Sequence, residues 1–258
     1  MRQAVVCVSF GTSVPAGREN ITAVETVLRR TAGDRIFVSA FTSGVIRRVL
    51  RQRGETVCSV AEALEALWKQ GVEEVLLQPT HILCGNEYGK MRREAEPWRD
   101  KFHSLCFGKP LLADTEDLRM LAAALSAAYP AQAGESLVLF GHGTDHAANL
   151  AYPALQTAFA LAGRRDVLVG TVEGWPAFPE VLGQLEERGA GGVHLVPLML
   201  VAGDHALNDM AGAEPESWKS RLEAAGFTVR ATLRGLGLLP EVQAMYRARL
   251  EEALAQGT

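Results

Sequence analysis

The chain has 258 residues, 48% of them hydrophobic and 22% charged, with a formal net charge of −4. That is the profile of a folded globular protein, long enough for one large domain or two small ones. The acidic balance excludes a general nucleic-acid binder, which carries a basic excess, and no run reaches the roughly 18 apolar residues that span a bilayer.

The first apolar run, AVVCVS at 4–9, is a strand candidate, and Cys7 inside it reads as a small buried hydrophobe. The run is short, lacks a small-residue cleavage site and leads straight into fold-like sequence. It does not read as a signal peptide, so a cytoplasmic location is expected. A helix is expected at 20–30, where Ile21, Val24, Val27 and Leu28 recur at helical spacing. A strand at 35–40 precedes a helix at 60–70 that carries Ala61, Leu64, Leu67 and Trp68. Strands at 74–79 and 111–114 follow. The second half runs the same way, with strands at 137–141, 166–171, 192–197 and 227–232 and helices at 148–162 and 176–188. Continuous apolar strands alternating with helices predict a parallel sheet covered on both faces. Cys7, Cys58, Cys84 and Cys106 are scattered and form no C-x-x-C, so neither a zinc ribbon nor a disulfide framework is expected.

The strands come as four plus four, which directs attention to a repeat. SFGTS at 9–13 resembles GHGTD at 141–145, FVSAFTSG resembles VLVGTVEG, and VLLQP resembles VHLVP. After each proline the chain runs six residues to a glycine, Gly85 or Gly203, and two further on stands Glu87 or His205. Gly11, Gly44, Pro79 and Glu87 therefore map onto Gly143, Gly174, Pro197 and His205. The expected fold class is α/β, built of two similar halves at about 1–125 and 126–258, each a parallel four-stranded sheet flanked by helices, with 131–135 as linker. Ligands of such sheets bind outside the carboxyl ends of the strands. That rule selects the loops at 10–13, 42–44, 81–88, 142–146, 173–175 and 202–208, which two related halves would turn toward a common cleft.

Of the six histidines, His103 has no polar company and reads as structural or exposed, and His194, inside VHLVP, as a satisfied core histidine. His81 lies just past a strand end without a decisive reading. His146 either shares a helical face with His142 or is an exposed first-turn residue. His142 and His205 stand apart, because each sits among glycines at a strand-end loop and each fills a matched position in its half. With Glu87 they make a set of two imidazoles and one carboxylate, suited to a divalent first-row metal with open positions. Capping by Glu87 or Asp204 and packing by the histidines is the alternative. Other templates fail: there is no G-x-x-x-x-G-K-[ST] for a nucleotide, no H-E-x-x-H and no G-x-S-x-G. Gly-His-Gly-Thr is similar to phosphohistidine motifs, but Phe140 and Gly141 stand where a phosphate-binding arginine belongs.

VVCVSFGTS, AFTSGVI, QPTHILCGNEY, GHGTDHAAN and the Gly-Asp-His at 203–205 together resemble the anaerobic cobalt chelatases of CbiK type, sirohydrochlorin cobaltochelatases of the class II chelatase group related in fold to ferrochelatase. The resemblance covers nearly the whole chain. It implies two Rossmann-like halves with a tetrapyrrole cleft between them. It also implies ATP-independent insertion of Co2+ into sirohydrochlorin or its precursor precorrin-2, on the oxygen-independent route to cobalamin. By motif match the family's metal histidines fall on His142 and His205 and its carboxylate on Glu87, so the same three residues are the expected catalytic set. His142 doubles as the candidate acceptor for pyrrole protons.

Sirohydrochlorin is rich in carboxylates. Ser9, Gly11, Thr12, Ser13, Thr42 and Ser43 are expected to bind some of them through hydroxyls and backbone N–H groups, with Arg47, Arg48, Arg53 and Lys90 as possible cationic partners. Phe10, the repeat-mate of His142, is expected against the ring. The expected partners are thus the tetrapyrrole and a divalent metal, with no nucleotide, nucleic acid or membrane; oligomeric state is not readable. Competing expectations are an iron or nickel chelatase acting on sirohydrochlorin, a non-catalytic tetrapyrrole or metal carrier, and a phosphotransfer enzyme using His142.

Overall fold

The computed structural model describes residues 1–256, and the chain divides into two compact units, Met1–Ala113 with Gln243–Thr258, and Asp114–Val242. Unit 1 contains β1 (Gln3–Ser9), α1 (Pro15–Ala32), β2 (Ile36–Phe41), α2 (Gly44–Gln52), α3 (Val60–Lys69), β3 (Glu74–Pro79), α4 (Asn86–Ala95) and β4 (Ser104–Phe107). Its sheet is parallel with order β2-β1-β3-β4. Ala4 to Val8 of β1 are all buried, as an apolar strand covered on both faces requires. Val6, Val8, Leu64, Leu67, Leu77 and Met91 share one core cluster. Each such side chain contributes roughly 1.5–3 kcal/mol by leaving water. α3 begins where the sequence says it should. The Ser59 hydroxyl accepts from the Glu62 N–H (3.1 Å), and the Glu62 carboxylate accepts from the Ser59 N–H (2.6 Å).

Unit 2 contains α5 (Thr115–Ala128), β5 (Glu135–Gly141), α6 (Ala151–Leu161), β6 (Val167–Thr171), α7 (Phe178–Arg188), β7 (Gly192–Pro197), α8 (Trp218–Ala224) and β8 (Thr228–Ala231). Its sheet has the order β6-β5-β7-β8, also parallel, so the two topologies are the same. Phe140, Leu168, Val181, Leu195 and Trp218 lie in its core cluster. In each sheet the chain leaves a central strand to one side and returns on the other. The crevice between β1 and β3, or between β5 and β7, is the switch point at which such sheets take ligands.

The units divide at Asp114, earlier than the 125/126 boundary expected, and the C-terminal helix α9 (Pro240–Gln256) belongs to unit 1 from Gln243 onward. Side chains explain both placements. Arg164, salt-bridged to Asp166 at 2.8 Å, also donates to the carbonyls of Ser126 (3.4 Å) and Tyr129 (3.0 Å), fastening the end of α5 to unit 2. The buried Tyr246 of α9 donates to the Thr80 carbonyl at 2.7 Å in unit 1. The 131–135 stretch is accordingly not a linker between units but the turn from α5 into β5. None of the described helices is long and apolar enough to cross a membrane.

The 111–114 stretch, expected as the fourth strand, is not one. β4 lies at Ser104–Phe107, where Cys106 and Phe107 pair with Leu76 and Leu77. Pro110 follows and has no N–H to continue a ladder. Leu111 and Leu112 are buried, which makes 111–114 look like a strand, but their N–H groups donate to the His81 and Ile82 carbonyls (3.0 and 2.8 Å), beyond the end of β3.

The repeat is written into the backbone. Gly11 and Gly143 both adopt positive φ (+100° and +84°) immediately after the first strand of each sheet. In unit 1, Thr42 N–H donates to Ser9 O (2.9 Å) and Ser43 N–H to Phe10 O (3.2 Å). In unit 2, Val172 N–H donates to Gly141 O (3.0 Å) and Glu173 N–H to His142 O (2.8 Å). These matched bonds make Phe10 the counterpart of His142, and Ser43 the counterpart of Glu173.

Candidate metal centre

His142 is the first residue after β5, and its loop is shaped by close backbone approaches. A Cβ at Gly143 would lie 2.4 Å from the Gly174 nitrogen, and one at Gly174 would lie 2.4 Å from Asn149 Oδ1. Only glycines let the loop after β5 rest on the loop after β6. Asn149 staples the two together, accepting from Thr144 N–H (3.1 Å) and donating to the Trp175 carbonyl (2.5 Å). The buried Tyr152 supports them from below, its hydroxyl accepting from Gly143 N–H at 3.2 Å.

His205 comes from the short helical turn after β7, which continues as a π-helical turn, Ala206–Met210. Local π-turns of this kind are frequent at functional sites. The two rings meet edge to face with centroids 4.6 Å apart. Glu173, in the loop after β6, reaches His142 Nδ1 at 3.6 Å. Among the described residues, His142, Glu173 and His205 each offer a ligand atom within 4.8 Å of the others', with the two histidines half-buried and Glu173 exposed. Two imidazoles and a carboxylate fit a divalent first-row metal, and their exposure leaves coordination positions open. Both rings are held through Nδ1: His142 by the Gly143 carbonyl at 3.0 Å, His205 by Asp209 Oδ2 at 2.6 Å. Carbonyl and carboxylate oxygens only accept, so each Nδ1 carries the hydrogen and each Nε2 keeps a free lone pair.

The sequence brings His142 and His205 forward, and the structure sets them together in unit 2. The carboxylate beside them in that unit is Glu173, which the sequence reading passed over. A signal for it was present, since FTSG against TVEG puts Glu173 opposite Ser43, a departure from symmetry of the same kind as His142 opposite Phe10. Asp209 is not among the sequence candidates; its spacing of four from His205 on a helical turn is the available clue. Glu87 lies in the first turn of α4, whose N-cap is Gly85, and its half-buried carboxylate has one oxygen, Oε2, enclosed without a partner.

The other expected residues of unit 1 are mostly engaged locally. Ser9 Oγ shares a hydrogen bond with Thr80 Oγ1 (2.7 Å), Thr12 Oγ1 accepts from Val14 N–H (3.1 Å), and Ser43 caps α2 by accepting from Ile46 N–H (3.3 Å). The Ser13 carbonyl accepts from Arg53 (2.6 Å), and the Thr42 carbonyl from Lys90 (2.5 Å). Thr42 Oγ1 is buried without a partner. Gly11 holds its loop against Phe41, whose ring a Cβ there would meet at 2.5 Å. Phe10 is 49% exposed.

Three further histidines resolve. His146 caps the 3-10 turn Ala147–Leu150, its Nδ1 accepting from Ala148 N–H at 3.0 Å. His194 is buried and bonded to Thr232 Oγ1 at 2.8 Å; burial, then the nearby Arg230 charge, pull its pKa down to about 4. His81 is enclosed with neither ring nitrogen partnered, and burial alone lowers its pKa to about 4.

Two parallel four-stranded units, with a cluster of two histidines and one carboxylate beyond the strand ends of unit 2, define an α/β protein with a candidate metal centre. The chain is similar in fold, at a TM-score of 0.69 and 18% identity over 99% of its length and 97% of the other chain, to SirB from Bacillus subtilis, solved with Fe3+. The family model for cobalt chelatase (CbiK) matches residues 3–255, and the chain belongs to that family. It is 42% identical over 257 residues, 98% of this chain and 97% of the relative, to the sirohydrochlorin cobaltochelatase of Salmonella typhimurium. It is 43% identical over 202 residues, 76% of this chain and 71% of the relative, to the sirohydrochlorin cobaltochelatase CbiKC of Nitratidesulfovibrio vulgaris.

Proposed function

We propose that this protein inserts Co2+ into sirohydrochlorin, or its reduced precursor precorrin-2, without ATP and as a step of anaerobic cobalamin synthesis. The observation that carries the proposal is the His142–Glu173–His205 cluster, found in a chain of the cobalt chelatase family. The names of the two relatives support the choice of tetrapyrrole. A sequence without a phosphate-binding glycine loop supports nucleotide independence, and four free thiols suit a reducing cytoplasm.

Co2+ is the substrate metal. His142 and His205 bind it through Nε2, and Glu173 offsets part of its charge, leaving other positions to water and then to ring nitrogens. Insertion exchanges one Co2+ for two pyrrole N–H protons. His142, as it lets go of the metal, accepts one on the nitrogen lone pair that is then free. Glu173, exposed at the rim, passes the other to solvent. In unit 1, Phe10 offers an exposed ring to a macrocycle, while the Thr42 and Ser43 N–H groups are already donated to the Ser9 and Phe10 carbonyls. Glu87 of unit 1 keeps an unpartnered carboxylate oxygen.

The test is absorption spectroscopy of sirohydrochlorin mixed with Co2+, Fe2+ or Ni2+, with and without protein. Acceleration with Co2+ is expected. Acceleration with Fe2+ or Ni2+ alone would reassign the metal, and binding without acceleration would make the protein a carrier.

A further inference from the structure

The two metal-binding imidazoles are backed differently. His142 Nδ1 is hydrogen-bonded to the neutral Gly143 carbonyl at 3.0 Å, with the Glu173 carboxylate at 3.6 Å and outside hydrogen-bond distance, whereas His205 Nδ1 is bonded directly to the Asp209 carboxylate at 2.6 Å. A carboxylate behind an imidazole fixes the ring's orientation and tautomer more firmly than a carbonyl does, and it makes Nε2 the better electron donor. The backbone is built for this contact. Asp209 lies inside the π-helical turn Ala206–Met210, in which Ala211 N–H donates to Ala206 O (3.3 Å) and Gly212 N–H to Asn208 O (3.1 Å). The turn is anchored by buried Ala206 and Met210, so Asp209 is held against His205 by packing on the same short segment. Asp204, the other acid of the turn, is occupied by Asn208 Nδ2 at 2.9 Å.

The geometry points to Asp209 as a positioning residue that makes His205 the anchoring cobalt ligand and leaves His142 as the ligand that is exchanged when the metal moves to the ring. This rests on the metal-site assignment above and deepens it. A carboxylate-backed ligand holds the ion during capture. A carbonyl-backed ligand is released sooner and is then free to accept a proton. Asp209 touches neither metal nor macrocycle and acts only through His205.

The experiment is a cobalt-binding titration of the intact protein without tetrapyrrole, followed by Co2+ absorption and calorimetry, on a double-mutant cycle. Asp209→Ala should weaken Co2+ binding 10- to 100-fold, the usual range for removing a ligand's outer partner. Asp209→Asn, which can still accept from Nδ1, should recover part of the loss. In a His205→Ala background Asp209→Ala should change affinity less than 2-fold, while in a His142→Ala background it should keep its full effect. An equal loss in the His205→Ala background would mark Asp209 as merely structural and overturn the inference, as would no loss in the otherwise native chain. If His142→Ala and His205→Ala themselves leave Co2+ affinity unchanged, the metal-site assignment fails first. If they weaken it and Asp209→Ala does not, only the role of Asp209 fails.

Discussion

Acid should destabilise this protein through a buried histidine of unit 1. His81 is enclosed in unit 1 with both ring nitrogens unpartnered, and its pKa is pulled from 6.5 to about 4 by burial. The unfolded chain binds a proton there more readily than the folded one. The stability at stake is therefore fully present above pH 6.5 and is lost as pH falls toward 4. The gap between 6.5 and about 4 corresponds to about 3 kcal/mol at 1.36 kcal/mol per unit, of which about 2 kcal/mol is lost by pH 5. His81→Phe removes the titration, and it strands no other polar group because His81 has no hydrogen-bond partner to leave behind. Urea unfolding at pH 7.5 and pH 5 on both proteins reads the difference. The native chain should lose about 2 kcal/mol more than the variant over that interval. His194 titrates alike in both and cancels. Equal losses would refute the reasoning and would mean that His81 meets water or a partner in solution.

Three other outcomes follow from the site and the core. Glu173→Gln keeps the shape of the rim but removes its charge; Co2+ affinity in a calorimetric titration should fall roughly 10-fold or more, in the range seen when metal-site partners are changed. Gly143→Ala forces a side chain into a positive-φ position where its Cβ would lie 2.4 Å from the Gly174 nitrogen, so the loop must shift. Its Co2+ affinity should drop, and far-ultraviolet circular dichroism should remain native. Leu139→Ala, in the fully buried centre of β5, should destabilise unit 2 by about 2–5 kcal/mol in denaturant titration.

Much of this molecule is legible in its sequence because parallel sheets are written as uninterrupted apolar runs. Val75 to Leu77 and Val193 to Val196 are buried within the strands at 74–79 and 192–197, where periodicity alone puts them. The edge strand β4 is not legible, since SLCF is short and half-buried while the neighbouring Leu111 and Leu112 are more apolar and fully enclosed. The unit boundary is hidden for another reason: Arg164 and Tyr246 tie α5 and α9 to their units by contacts distant in sequence. His142 and His205 could be found from loop position and repeat symmetry. Glu173 carries the same signal in its departure from Ser43, but weakly, because exposed glutamates are common. Asp209 depends on a π-turn, and no simple pattern announces one.

The most direct measurement is the rate of Co2+ insertion into sirohydrochlorin by the native chain and by His205→Ala, followed by absorption at saturating tetrapyrrole. With His205 as the anchoring ligand, the variant's rate should fall by about 100-fold or more, as when a group acting in the transition state is removed. An unchanged rate in His205→Ala, with the native chain active, would contradict the assignment of the metal centre.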